Sequence, residues 1–105
     1  MNHIELTARI VELNTLRYTP AGIPAINFIL AHESEILETG MLRQVKLTIR
    51  AVAFGALAEQ MAVLSLSNLF RFTGFLINAR TSKGVVFHIQ ALHPIHQAEQ
   101  VLNPI

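Results

Sequence analysis

Residues 16–34, LRYTPAGIPAINFILAHES, constrain the fold more than any other stretch, because a turn carrying Pro20, Gly22 and Pro24 opens directly into the apolar run Ile26, Phe28, Ile29 and Leu30. Proline holds φ near about −65° and donates no ladder hydrogen bond, whereas glycine reaches conformations that a side chain forbids. A strand entered through so rigid a turn has its register set at the start.

Around that turn the hydropathy pattern changes period in a definite order. Residues 4–12 alternate, with Ile4, Leu6, Ala8 and Ile10 against Glu5, Thr7, Arg9 and Val11, as a strand with one buried face does. A second strand is predicted over 25–33, followed by a polar connection over 33–40 that Gly40 closes. A third runs over 42–53, with Val45, Leu47, Ile49 and Ala51 on one face and Gln44, Lys46, Thr48 and Arg50 on the other. Over 54–64, FGALAEQMAVL, the spacing becomes three and four through Phe54, Leu57, Met61 and Leu64, which predicts a short helix. A turn at 65–68 leads to a fourth strand over 69–78, where Gly74 marks a bulge or a close backbone approach. The polar loop ARTSKG at 79–84 precedes a fifth strand over 85–95. The aperiodic segment 96–105 is expected to be a flexible tail, mobile or used for partner contact, after one domain spanning 1–95. Three strands, a short helix and two strands is the order of an all-β, five-stranded Greek-key OB-fold barrel, in which the helix plugs the gap between the third and fourth strands. A generic α+β sheet is the alternative.

Composition narrows the function class. Apolar residues make up 51% of the chain and charged residues 14%, lean enough in charge that a partner is expected to cover some apolar surface, a homodimer being the simplest. No apolar run reaches the roughly 18 residues of a membrane span, and the start MNHIELTARI lacks the pattern of a signal peptide, so no membrane partner and a cytoplasmic location are expected. The absence of Cys fits a reducing compartment and removes disulfides, thiol catalysis and thiolate metal sites. Among the histidines at 3, 32, 88, 93 and 96, only His93 and His96 have ligand-like spacing, and Pro94 opposes the helix that would align them. With no Asp or Cys to complete a ligand set, neither a metal nor another cofactor is expected. Paired carboxylates, a Gly-rich phosphate loop and a serine nucleophile motif are missing, which argues against an enzyme.

Net charge is only +1 with histidine neutral, so an argument for a polyanionic partner rests on distribution. Lys46, Arg50, Arg71, Arg80 and Lys83 all follow residue 40, where the acidic residues are Glu59 and Glu99. Binding a single strand without reading its sequence needs cations along a groove for phosphates and π-faces for bases. The third strand supplies Gln44, Lys46, Thr48 and Arg50 on one face, with Arg43 at its start. Arg17 and Tyr18 stand at the turn before the second strand, and Arg80 and Lys83 would close over the same face from the 79–84 loop. The alternative is a solvated strand face with scattered arginines. Tyr18, the one tyrosine, suits either base stacking or packing of the turn. The phenylalanines fall mostly within apolar runs and read as core, except Phe75, which shares the parity of Arg71 and Thr73.

LRYTPAGIPAINFILAH together with AVAFGALAEQMAVL resembles the bacterial single-stranded-DNA-binding protein family, in which an Arg-Tyr-Thr-Pro-Ser-Gly type turn enters the second strand and an Ala-Phe-Gly type segment opens the helix. Gly22-Ile23-Pro24, His32-Glu33-Ser34 and the short chain are similar to its short primosomal branch, the likeness covering about residues 4–95. The resemblance implies an OB-fold homodimer that binds single-stranded DNA during restart of stalled replication forks. It also implies contacts with the PriA helicase and with the loader protein DnaT. Three departures point toward weaker DNA binding than the branch type. Lys46 replaces an aromatic residue, Glu33 replaces a cation, and the 79–84 loop offers only Arg80 and Lys83. An OB-fold adaptor for protein partners, with weak DNA affinity, is therefore the second reading.

Overall fold

The alternation at the start of the chain builds β1, Ile4–Leu13, whose inward Ala8 and Ile10 are fully buried. The computed structural model describes residues 1–64, 66 and 68–95, so the tail at 96–105 and part of the turn expected at 65–68 lie outside the described residues. The remaining elements are β2, Arg17–Tyr18; β3, Pro24–Glu38; β4, Met41–Phe54; α1, Ala56–Met61; β5, Leu69–Asn78; and β6, Val85–Pro94.

Pairing runs β1–β5–β6–β4–β3 and returns from β3 to β1, which closes a five-stranded barrel, with the short β2 added beside β3. Among the described residues every strand pairing is antiparallel except β4 with β6, where Ala51 faces Phe87 and Val52 faces His88 in parallel. Phe28, Phe72, Phe87, Ile10, Ile26, Leu30 and Met61 fill the interior, each contributing about 1.5–3 kcal/mol by leaving water. Met61 and Ala58 bring α1 onto that core. None of the helices among the described residues is long and apolar enough to cross a membrane.

The proline-flanked turn is a hairpin loop. Arg17 pairs with Ala25 and Tyr18 with Pro24. The Thr19 N–H donates to the Ile23 carbonyl at 2.9 Å, and Gly22, at φ 85°, donates to the Thr19 carbonyl at 2.8 Å. The Pro24 carbonyl accepts from Gly55 N–H at 2.8 Å, which ties the start of β3 to the start of the helix. Gly74 meets both expectations held for it. The β5–β6 register shifts between Thr73 and Gly74, and a Cβ there would stand 1.9 Å from the His88 carbonyl oxygen.

Two boundaries differ from the sequence pattern. The second strand does not end at residue 33. Its ladder with β4 continues without interruption to Glu38 opposite Met41, and only Thr39 and Gly40 form the turn. Both turn residues have positive φ, 50° and 80°, as a two-residue hairpin turn matched to the strand twist requires. Polar residues at 33–38 stay in the ladder because this part of the hairpin projects beyond the barrel and is solvated, so polarity no longer marks a loop. The helix is also shorter than 54–64. Phe54 belongs to β4, paired with Ala25, and Gly55 at φ 73° breaks the path into α1. A phenylalanine three residues before Leu57 mimics helical spacing whether or not it is helical.

Candidate nucleic-acid interface

A groove forms on the outer face of the barrel, between the β2 hairpin, β3, β4, β6 and loop 79–84. Arg17, Asn27, Arg50, Phe54, Arg80 and His88 are among its lining residues. Strand register dictates this gathering. Asn27 lies opposite Val52 and Ile29 opposite Arg50, so the Asn27 and Arg50 side chains share the outer face. Arg17 Nε donates to Asn27 Oδ1 at 2.9 Å, which holds the first guanidinium at the groove. Arg80 arrives on a loop whose ends are joined by Ala79 N–H to the Gly84 carbonyl at 3.1 Å.

The aromatic part of the groove centres on His88. Because β6 lies between β5 and β4, His88 stands between Phe75 and Phe54. Its ring stacks on Phe75 with centroids 4.5 Å apart at 18°, and Phe54 lies 5.1 Å away at 36°. Burial lowers the His88 pKa below the usual 6.5, which keeps the ring neutral at pH 7. Between that lowered pKa and 6.5 the unfolded chain binds more protons than the folded one, so stability falls as pH drops through the window. Melts taken from about pH 8.5 to about pH 5 should show wild type losing slightly more Tm than His88→Gln, with the curves running parallel above about pH 7.5. Parallel curves over the whole range would refute this assignment.

The sequence pattern singles out Phe75, but it places Phe54 in a helical core and gives His88 no role beyond a metal ligand. The alternation Val86, His88, Gln90 against the buried Phe87 and Ile89 carries the missed signal.

Of the nine expected contact residues, Arg17, Arg50 and Arg80 converge on the groove. Gln44, Lys46 and Thr48 share Arg50's face of β4 but climb the projecting hairpin, where Lys46 lies opposite Glu33 and Gln44 opposite Glu35. The carboxylate beside Lys46 offsets its charge locally. Arg43 falls on the other face of the strand and pairs with Glu38 at 3.1 Å. Such an exposed pair contributes about 0–1 kcal/mol. Tyr18 is 62% exposed on β2, outside the groove lining. The Lys83 side chain is likewise outside it, although its backbone carbonyl accepts a hydrogen bond from Arg50.

Over residues 2–91 the chain matches a family described as "another single-strand binding protein family". It is 47% identical over 91 residues to the replication restart protein PriB of Bordetella pertussis, an alignment covering 86% of this chain and 85% of the relative. It is 30% identical over 90 residues to PriB of Nitrosomonas europaea, covering 85% and 83%. Among solved structures, PriB of Ralstonia solanacearum superposes with a TM-score of 0.82 at 35% identity, covering 91% of this chain and 99% of that one.

Proposed function

This chain belongs to the single-strand binding protein family and, within it, to the PriB replication restart proteins, and from that premise we propose that it binds single-stranded DNA along the outer groove. The observation that carries the reading is the convergence of Arg17, Arg50 and Arg80, from three separate segments, beside Phe54 and His88. Three guanidinium groups suit a phosphate backbone, while the partly exposed Phe54 ring, backed by His88, offers a surface on which bases of any identity stack. Fluorescence anisotropy of labelled oligo-dT over a salt series tests it. Three phosphate contacts on a single strand predict a slope of log K against log salt near about −2. Salt-independent binding, or none, would sink the reading.

At a stalled fork the bound protein would recruit the PriA helicase and help DnaT load the replicative helicase. It would act as a cytoplasmic homodimer. The N-terminal half of β1 supports association, because among the described residues it carries a ladder on one side only: β5 pairs with Ile4–Arg9, while β3 joins from Arg9 onward. On the open side the Thr7 carbonyl accepts from His32 Nδ1 at 2.6 Å.

A second reading, an adaptor with weak DNA affinity, is favoured by the hairpin tip, where Leu37, Met41 and Leu42 are each 69% exposed beyond the Glu33–Lys46 pair. It expects weak oligo-dT binding beside clear stimulation of PriA.

A further inference from the structure

Arg50 sits where β4 and β6 part company, one residue before their parallel pairing begins at Ala51. From there its guanidinium forks onto loop 79–84. Nη1 donates to Ser82 Oγ at 2.9 Å, and Nη2 donates to the Lys83 carbonyl at 3.0 Å. The adjoining Gly84, at φ 103°, gives the backbone the left-handed bend it needs beside this contact. A Cβ on Gly84 would already stand 3.4 Å from Arg50 Nη2. A guanidinium carries five N–H donors, so the fork does not exhaust them, and Arg50 itself lines the groove. The same loop carries Arg80, which also lines the groove.

We propose that Arg50 is a positioning residue: it latches loop 79–84 across the groove and thereby sets Arg80 against the phosphate backbone. The proposal rests on the single-stranded-DNA reading for its consequence, but the latch itself is a property of the free protein. Lysine at position 50 keeps the charge and loses the planar fork, so Arg50→Lys separates latching from simple charge.

Two measurements decide it. Limited trypsin digestion without DNA should nick the chain after Arg80 and Lys83 faster in Arg50→Lys than in wild type, because the loop opens more often. In oligo-dT titrations Arg50→Lys should weaken binding about tenfold in wild type and less than about twofold in an Arg80→Ala background, a coupling typical of residues in one hydrogen-bonded unit. Equal losses in both backgrounds would overturn the positioning role and show that Arg50 acts on the strand independently of Arg80. Equal nicking rates would overturn the latch whatever the DNA result. If wild type fails to bind oligo-dT, the nucleic-acid reading and the role of Arg80 fall together, and the digestion alone then shows whether the latch exists.

Discussion

Alanine at Gly74 is expected to lower the melting temperature by about 15 °C, the equivalent of about 3 kcal/mol in a domain of this size. The added Cβ would lie 1.9 Å from the His88 carbonyl oxygen, 2.9 Å from its carbon and 3.1 Å from Ile89 Cα. All three are backbone atoms, so no side chain can rotate away to make room. Relief requires β5 and β6 to separate at the bulge between Thr73 and Gly74, next to the buried Phe72, Phe87 and Ile89. Close-packed interiors transmit such displacements rather than absorb them. The same movement would pull Phe75 from His88, so oligo-dT binding should weaken in any fraction that stays folded. A melt within about 3 °C of wild type would show that the seam relaxes at little cost.

Phe54→Ala should weaken oligo-dT binding by about tenfold to a hundredfold while the melt stays close to wild type, since base–aromatic stacking contributes about 1–3 kcal/mol per base. Phe54 is 37% exposed at the end of β4, on the same face as Arg50 and beside His88. Its ring borders the groove without entering the core, unlike Phe28 and Phe72, whose truncation would cost about 3–5 kcal/mol of stability. The loss should be similar for different base compositions, because stacking uses the ring face common to all bases. Unchanged affinity in a folded Phe54→Ala variant would remove the aromatic half of the proposed interface.

Much of the barrel was legible because strand alternation is a local property. The inward set Ile4, Leu6, Ala8 and Ile10 needed only period-two counting, and the strand over 69–78 appears with the bounds its pattern suggested. The Pro20–Pro24 turn and Gly74 were legible for a different reason: proline and glycine restrict or release the backbone wherever they stand. The hairpin at 33–40 is not legible from polarity, because a solvated two-strand ladder tolerates Glu33, Glu35 and Glu38 as readily as a loop does. Phe54 is ambiguous in sequence because one residue cannot declare its period, and Gly55 is the better sign of a break.

By itself the sequence determined the strands, the faces they bury, the rigid entry to β3 and the need for a bare backbone at residue 74, since all of these follow from side-chain period and φ restriction within a few residues. Only the tertiary structure decided that Arg17, Arg50 and Arg80 share a groove, that Arg43 turns away to Glu38, and that Phe54 and His88 meet. Those groupings depend on the parallel closure of β4 against β6 and on the register of β3 with β4. Cross-strand neighbours are set by pairing between distant segments, and a one-residue slip would carry each of these side chains to the other face.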